Sequence, residues 1–260
     1  NSGSLEYIVG SSYMADYKPR IAYLSGFLVD RYEFVRTPVP ELFYVPNPTN
    51  NTSISYGANS DYFYDNFHSH FPPSIFLSPS RPQSRFVGDS SEARKIAEKV
   101  FELMMNQKLP ENISINILPL TDFKIIHSKF GLWNNGILGF SVNGRKKLVF
   151  VREDDLDSML LVIGHEIGHV LTDALPNRHD EEAKAFAFSV EWAKTIKTHN
   201  VAGLAQSIKD ELDFSPAKNG LHDATFGFVS FMLKNGKKAM DLHRDLSKGY
   251  FSVFHRFYRF

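Results

Sequence analysis

The chain of 260 residues reads as an α+β protein. Three observations predict it. Residues 89–104 carry apolar side chains at helical spacing behind a capping signal. Residues 113–117 alternate apolar and polar, and a second strand pair follows around Asn143-Gly144. Beyond Asp154 the pattern returns to helix and stays there.

Each element has its own reason. Residues 5–45 hold short apolar runs, Tyr7-Ile8-Val9, Ile21-Ala22-Tyr23-Leu24 and Phe27-Leu28-Val29, which fit strands or a short helix. Pro38, Pro40, Pro46 and Pro48 forbid regular structure over 37–51. Residues 56–87 are rich in Asn, Ser and Pro. They also hold Tyr62, Phe63, Tyr64, Phe67, Phe71 and Phe76. Disordered linkers are poor in aromatics, so this segment is expected to pack onto the rest of the chain, as functional lids do. Residues 1–88 are thus read as an irregular covering region, with His68 and His70 as a hydrogen-bonded loop pair.

Residues 89–200 are read as the core. Asp89-Ser90-Ser91-Glu92 opens a helix, and Ile96, Val100, Phe101, Leu103 and Met104 form its apolar stripe. Ile113, Ile115 and Ile117 mark a half-buried strand. Ile137–Val142 and Leu148–Val151 read as a hairpin about Asn143-Gly144, the favoured two-residue turn. Asp154-Asp155 starts a helix that runs to about Pro176, its acidic first turn suiting the helix dipole. A second helix covers 178–198. Residues 201–260 are read as a helical region, with helices at 202–212, 224–233 and 237–246 and an aromatic tail, 250–260, packed back on the core.

Composition narrows the partners. Lys and Arg number 29, as do Asp and Glu, so no net field draws nucleic acid. There is no cysteine, which excludes disulfides and thiolate metal sites. No apolar run reaches the ~18–20 residues that span a bilayer. The compartment stays open, with the absent cysteines and the lack of a visible signal peptide favouring the cytoplasm.

The stretch 160–171, LLVIGHEIGHVL, carries the chemistry. Residues four apart lie on one face of a helix, so His165 and His169 can reach one ion. Glu166 sits one step round and can reach a water on it. A histidine pair on a helix can be merely structural. Against that, the flanks are apolar, and a buried polar group needs a partner. Gly164 and Gly168 each cost about 1 kcal/mol of helix propensity against alanine, which calls for close approach of another backbone or a ligand.

This His-Glu-x-x-His helix resembles the zincin superfamily of metallopeptidases, over about residues 90–200. The metzincin branch continues with a glycine and a third histidine, where this chain has Thr172 and Leu175. The gluzincin branch takes a glutamate from a following helix, and Asp180-Glu181-Glu182-Ala183-Lys184-Ala185-Phe186-Ala187 looks like that helix. Glu182–Ala187 is also similar to ImmA/IrrE-type peptidases, which usually carry Asn or Asp where this chain has Lys184, and the chain resembles minigluzincin-like peptidases as well. The resemblance implies a mixed sheet over the zinc helix and an edge strand that pairs with substrate, here Gly139-Phe140-Ser141. It further implies Zn2+ as cofactor, Glu166 as general base and a peptide or protein substrate. A regulatory peptidase that cleaves one repressor is a variant of the same reading. The alternative is a non-catalytic, zinc-stabilised binding or regulatory protein.

Two roles are less determined by the residues. Asp173, His179, Glu181 and Glu182 all follow the motif as possible third ligands. At about 100° per residue, Glu182 shares a face with Phe186, Ser189, Ala193 and Ile196, while Lys184, Glu191, Lys194 and Thr198 fall opposite. Glu182 is therefore the expected ligand, ahead of Glu181 and then His179. For the oxyanion-stabilising group, His222 beside Asp223 is one candidate and a tyrosine another.

Overall fold

The computed structural model describes residues 17–24, 27–34, 71–212 and 221–254, with backbone alone at 17–24, 27–34 and 221–223. The chain divides into two compact units, Asn1–Asp65 and Asn66–Phe260. Of residues 1–88, which the sequence groups together, the described residues 71–88 fall in the second unit.

In the smaller unit, β1 (Tyr17–Leu24) and β2 (Phe27–Phe34) pair antiparallel with an irregularity at Arg20 and Ile21. They account for two of the short apolar runs. Tyr7–Val9, residues 37–51 and His68 and His70 lie outside the described residues.

The larger unit is mixed α+β. After a short 3-10 turn, Pro73–Ile75, come β3 (Phe86–Val87), α1 (Ser90–Met105), β4 (Ile113–Leu118), α2 (Leu120–His127), β5 (Gly139–Val142), β6 (Lys147–Arg152) and β7 (Asp154–Asp155). Then follow α3 (Leu156–Val170), α4 (Arg178–Thr198), α5 (Leu221–Lys234) and α6 (Ala239–Ser247). The main sheet has the order β4-β6-β5, with β4 parallel and β5 antiparallel to β6, so β5 is an edge. A separate ribbon pairs β3 with β7.

The expected capping signals operate. The Asp89 carboxylate accepts from Glu92 N–H at 2.9 Å and starts α1. The Asn177 side chain accepts from His179 N–H at 2.9 Å and starts α4. Ile113, Ile115 and Ile117 point inward from β4 as their alternation predicts. Ser90 Oγ accepts from Ile117 N–H at 2.8 Å, tying the start of α1 to the sheet.

α3 lies between the sheet and the helices, in contact with β5 and β6 on one side and α4 on another. α4 in turn meets α1, α5 and α6. This hub position buries Phe186, Phe188, Trp192 and Ile196 completely, each contributing about 1.5–3 kcal/mol for its apolar surface. It also explains the two helix glycines. A Cβ on Gly164 would sit 2.4 Å from the Trp192 ring, and one on Gly168 would sit 2.9 Å from Ala185 Cα. Close approach of α4 is what both positions serve.

Four expectations are corrected. Residues 202–212 are not a helix but two 3-10 turns, Val201–Gly203 and Ala205–Ser207. Asn200 and Ala202 take left-handed φ of 45° and 54°, and Ile208 leaves to bridge Leu77, so no helical ladder propagates. α3 ends at Val170 rather than near Pro176. Its last carbonyls are taken by side chains: Thr172 O accepts from Asn143 Nδ2 at 2.7 Å and Leu171 O from Lys147 Nζ at 3.3 Å. That same use of Asn143 replaces the two-residue turn, since β5 stops at Val142 and β6 begins at Lys147. Finally, α2 has no counterpart in the sequence reading, although Phe123 and His127 bury one side of it. The predicted helices at 224–233 and 237–246 are present as α5 and α6. Of the tail, Val253 is buried and Phe254 lies edge-on to His179 at 4.8 Å.

Candidate metal centre

α3 and α4 together build the centre. His165 and His169 stand one turn apart on α3, and Glu182 projects from the second turn of α4. One ligand atom from each of the three lies within 4.8 Å of the others. The two Nε2 atoms are 3.2 Å apart. Glu182 Oε2 is 3.5 Å from His165 Nε2, and Oε1 is 3.9 Å from His169 Nε2. His165, Glu166 and Glu182 are buried, and His169 keeps 12% of its side chain exposed.

The partners behind the rings decide what faces the centre. Ser189 Oγ–H donates to Ala185 O at 2.9 Å, which leaves a hydroxyl lone pair for His165 Nδ1–H at 3.2 Å. Glu181 Oε1 accepts from His169 Nδ1–H at 2.8 Å. With both Nδ1 atoms carrying hydrogen, a neutral His165 and a neutral His169 each turn an Nε2 lone pair toward Glu182. Two imidazoles and a carboxylate converging on one point, each oriented from behind, is a set that fits a metal ion.

The electrostatics of the metal-free site say the same. Burial would lower the His169 imidazole, but the Glu182 and Glu181 carboxylates outweigh it and push it up to about 9. Cationic charge is thus favoured at this point even without an ion. Burial raises the Glu166 carboxyl to about 7, against the opposing pull of His169 and a hydrogen bond with Ser141. Burial would also raise Glu181, yet its bond to His169 and the charges of His169 and Lys184 hold it below the ordinary carboxylate value.

The third-ligand candidates now separate. Glu182 joins the histidines, whereas Glu181 stands behind His169 as its hydrogen-bond partner. His179 packs on Phe254, and Asp173 offers its backbone carbonyl to Lys184 at 3.1 Å. Lys184 overturns the helical-wheel reading. It is fully buried, because α6 covers the side of α4 that the wheel left to solvent. Lys194, on the same predicted face but farther along, is exposed as expected. His222 falls in the first turn of α5, and its side chain lies outside the described residues.

Several supporting residues escaped the sequence reading. Ser189 was placed on the Glu182 face without a role, and only its distance to His165 supplies one. Ser141 approaches Glu166 because β5 runs close to α3, where a Cβ on Gly139 would sit 3.1 Å from the Glu166 side chain. Phe71 stacks flat on His165, with centroids 4.2 Å apart and planes 13° from parallel. Of the six aromatics named in that segment, Phe71 and Phe76 are described and both are buried, while Tyr62, Phe63, Tyr64 and Phe67 lie outside the described residues. Nothing in the sequence singled out the Phe71 ring. Searches against family models, curated proteins and solved structures each found no match for the chain. The centre is therefore read from its geometry.

Proposed function

We propose that the protein is a zinc-dependent metallopeptidase with a zincin-like arrangement, in which His165, His169 and Glu182 hold the ion. The observation that carries this reading is the convergence of those three ligand atoms, within 4.8 Å, beside the buried Glu166. Nitrogen and oxygen donors without thiolate suit zinc, and three protein ligands leave the fourth position open, as hydrolytic sites require. A bound zinc ion supplies Lewis acidity, polarising a carbonyl and making water nucleophilic at neutral pH.

The remaining steps belong to the chain. Glu166, next to His165 and oriented by Ser141, accepts the proton of the attacking water and passes it to the leaving amine. Among the described residues no strand pairs with the outer edge of β5, which offers backbone donors and acceptors for an extended peptide. Gly139 lets that edge run close to Glu166, so a peptide paired there has its scissile bond near the base.

Burial favours a second feature of the same reading. His165, Glu166 and Glu182 have almost no exposed surface, and Phe71 covers one face of His165. This burial supports a centre that is covered in the isolated protein, which is then latent. A non-catalytic, zinc-stabilised fold draws on the same burial, but it gives Glu166 no task.

The test is zinc content together with a base variant. Wild type should carry one zinc per chain, lost in the His165→Ala/His169→Ala double variant. Glu166→Gln should keep zinc and lose peptidase activity. Equal metal in wild type and double variant would sink the metal reading. Activity of Glu166→Gln equal to wild type would sink the assigned base. Zinc binding without hydrolysis of any peptide in a broad panel, in wild type and in Phe71→Ala alike, would leave the binding-protein alternative.

A further inference from the structure

Lys184 is the residue of the site that the peptidase reading does not use. Its side chain has no exposed surface. Removing an ammonium from water costs several kcal/mol, and an apolar side chain of similar volume at such a place is often neutral or stabilising. The charge therefore calls for a role other than packing.

Its contacts define that role. An ammonium has three hydrogens, and Lys184 Nζ has three acceptors. It donates to Glu181 Oε2 at 2.9 Å, to His169 O at 3.2 Å and to Asp173 O at 3.1 Å. Two of these acceptors are carbonyls at and beyond the end of α3. The third is the carboxylate whose other oxygen receives His169 Nδ1–H. One cation thus holds His169 twice, through its backbone and through its ring partner. Charge balance agrees, since Lys184 and a divalent ion together neutralise the carboxylates of Glu166, Glu181 and Glu182.

We propose that Lys184 is a positioning residue of the metal centre: it pins the Glu181 carboxylate against His169, which keeps that ring in the Nδ1–H tautomer with its Nε2 lone pair toward the ion. Leu175 N–H, 2.7 Å from Glu181 Oε2, helps the same carboxylate but cannot supply its counter-charge. This inference rests on the metal reading of the preceding subsection. Lys184 touches neither ion nor substrate in it and acts only through Glu181 and the α3 terminus.

The experiment measures zinc affinity of the full-length chain by chelator competition, with ring-nitrogen NMR of 15N-histidine-labelled protein as a second readout. Lys184→Met should fold and weaken zinc binding by about 10–100-fold, the range for loss of a supporting contact. In the zinc-bound protein the His169 Nδ1–H proton should lose the strong downfield shift that a hydrogen bond to a held carboxylate gives. In a Glu181→Gln background, the Lys184→Met change should add nothing further, because both act on one ring. Zinc affinity of Lys184→Met equal to wild type would overturn the proposal, as would fully additive losses. Should Lys184→Met fail to fold, Glu181→Gln alone decides: a loss of the same size supports the chain of contacts, and unchanged zinc affinity overturns it. Wild-type protein that binds no zinc would remove the metal reading itself. Wild type that binds while the variants bind equally well would remove this inference alone.

Discussion

The two histidines of the centre are built in opposite ways. His165 is deep, stacked on Phe71 and backed by the neutral hydroxyl of Ser189. His169 is nearer the surface and backed by the Glu181 carboxylate, which Lys184 holds in turn. One end of the site is fixed mainly by packing, the other by charge. The difference follows from where α4 meets α3. At Gly164, beside His165, an indole fills the gap, and at Gly168 the helices approach closely; within this packing the Ser189 hydroxyl reaches His165. At the outer end the chain turns between the helices, and the freed carbonyls of His169 and Asp173 draw in a cation.

That comparison can be broken in order of effect. The largest change should come from Glu182→Ala, which removes a donor common to both ends. Zinc affinity should fall by more than the roughly 100-fold typical of a lost supporting contact. A loss no greater than that of Glu181→Ala, in the same chelator competition, would exchange the two roles.

Phe71→Ala tests the packed end. Truncating a buried phenylalanine costs about 3–5 kcal/mol, so urea unfolding should show a drop of that order. His165 should become open to histidine-modifying reagents. A change below about 1 kcal/mol, small for a core truncation, would mean that Phe71 does not hold this end.

Acid tests the charged end. Behind Lys184, His243 Nδ1 lies 3.0 Å from Lys184 O. Burial, with the Lys184 charge adding to it, lowers the His243 imidazole to about 4. Between about 6.5, the ordinary imidazole value, and about 4, the unfolded chain binds a proton that the folded chain does not. Stability from this group is therefore full above about pH 6.5 and is lost as pH falls towards 4, by up to about 3 kcal/mol. Unfolding curves across that window should have a slope that His243→Gln reduces. An unchanged slope would place the acid sensitivity elsewhere.

The smallest and sharpest contrast sets Ser189→Ala against Glu181→Gln. A neutral hydrogen bond contributes about 1 kcal/mol and one to a charged group about 1.5–3 kcal/mol. Ser189→Ala should lower zinc affinity less than Glu181→Gln does. Equal losses would mean that the two ends are held alike, whatever their partners.

Much of the core was legible because its signals are local. The Asp89 cap, the alternation of β4 and the bounds of α4 follow from side chains that act within a turn or on one face. The histidine pair was legible for the same reason, since i and i+4 share a face on any helix. Glu182 could be centred on the buried face of α4, but its distance to the histidines needed the turn 171–177 in three dimensions. Residues 202–212 misled because helix propensity was met by a tertiary bridge, Leu77 to Ile208, that pulls the chain straight.

By itself, then, the sequence determined the α+β class, the helix that carries His165, Glu166 and His169, and the need for a partner at Glu182. These depend on backbone periodicity and on the cost of burying unpartnered polar groups, both set by neighbours in the chain. Only the tertiary structure decided that Glu181 backs a ring, that Ser189 backs the other, and that Lys184 is inside. Those roles depend on which helix covers which face. The Lys184 face of α4 is polar in sequence and buried in fact because α6, more than fifty residues later, packs over it and the turn after α3 supplies its acceptors.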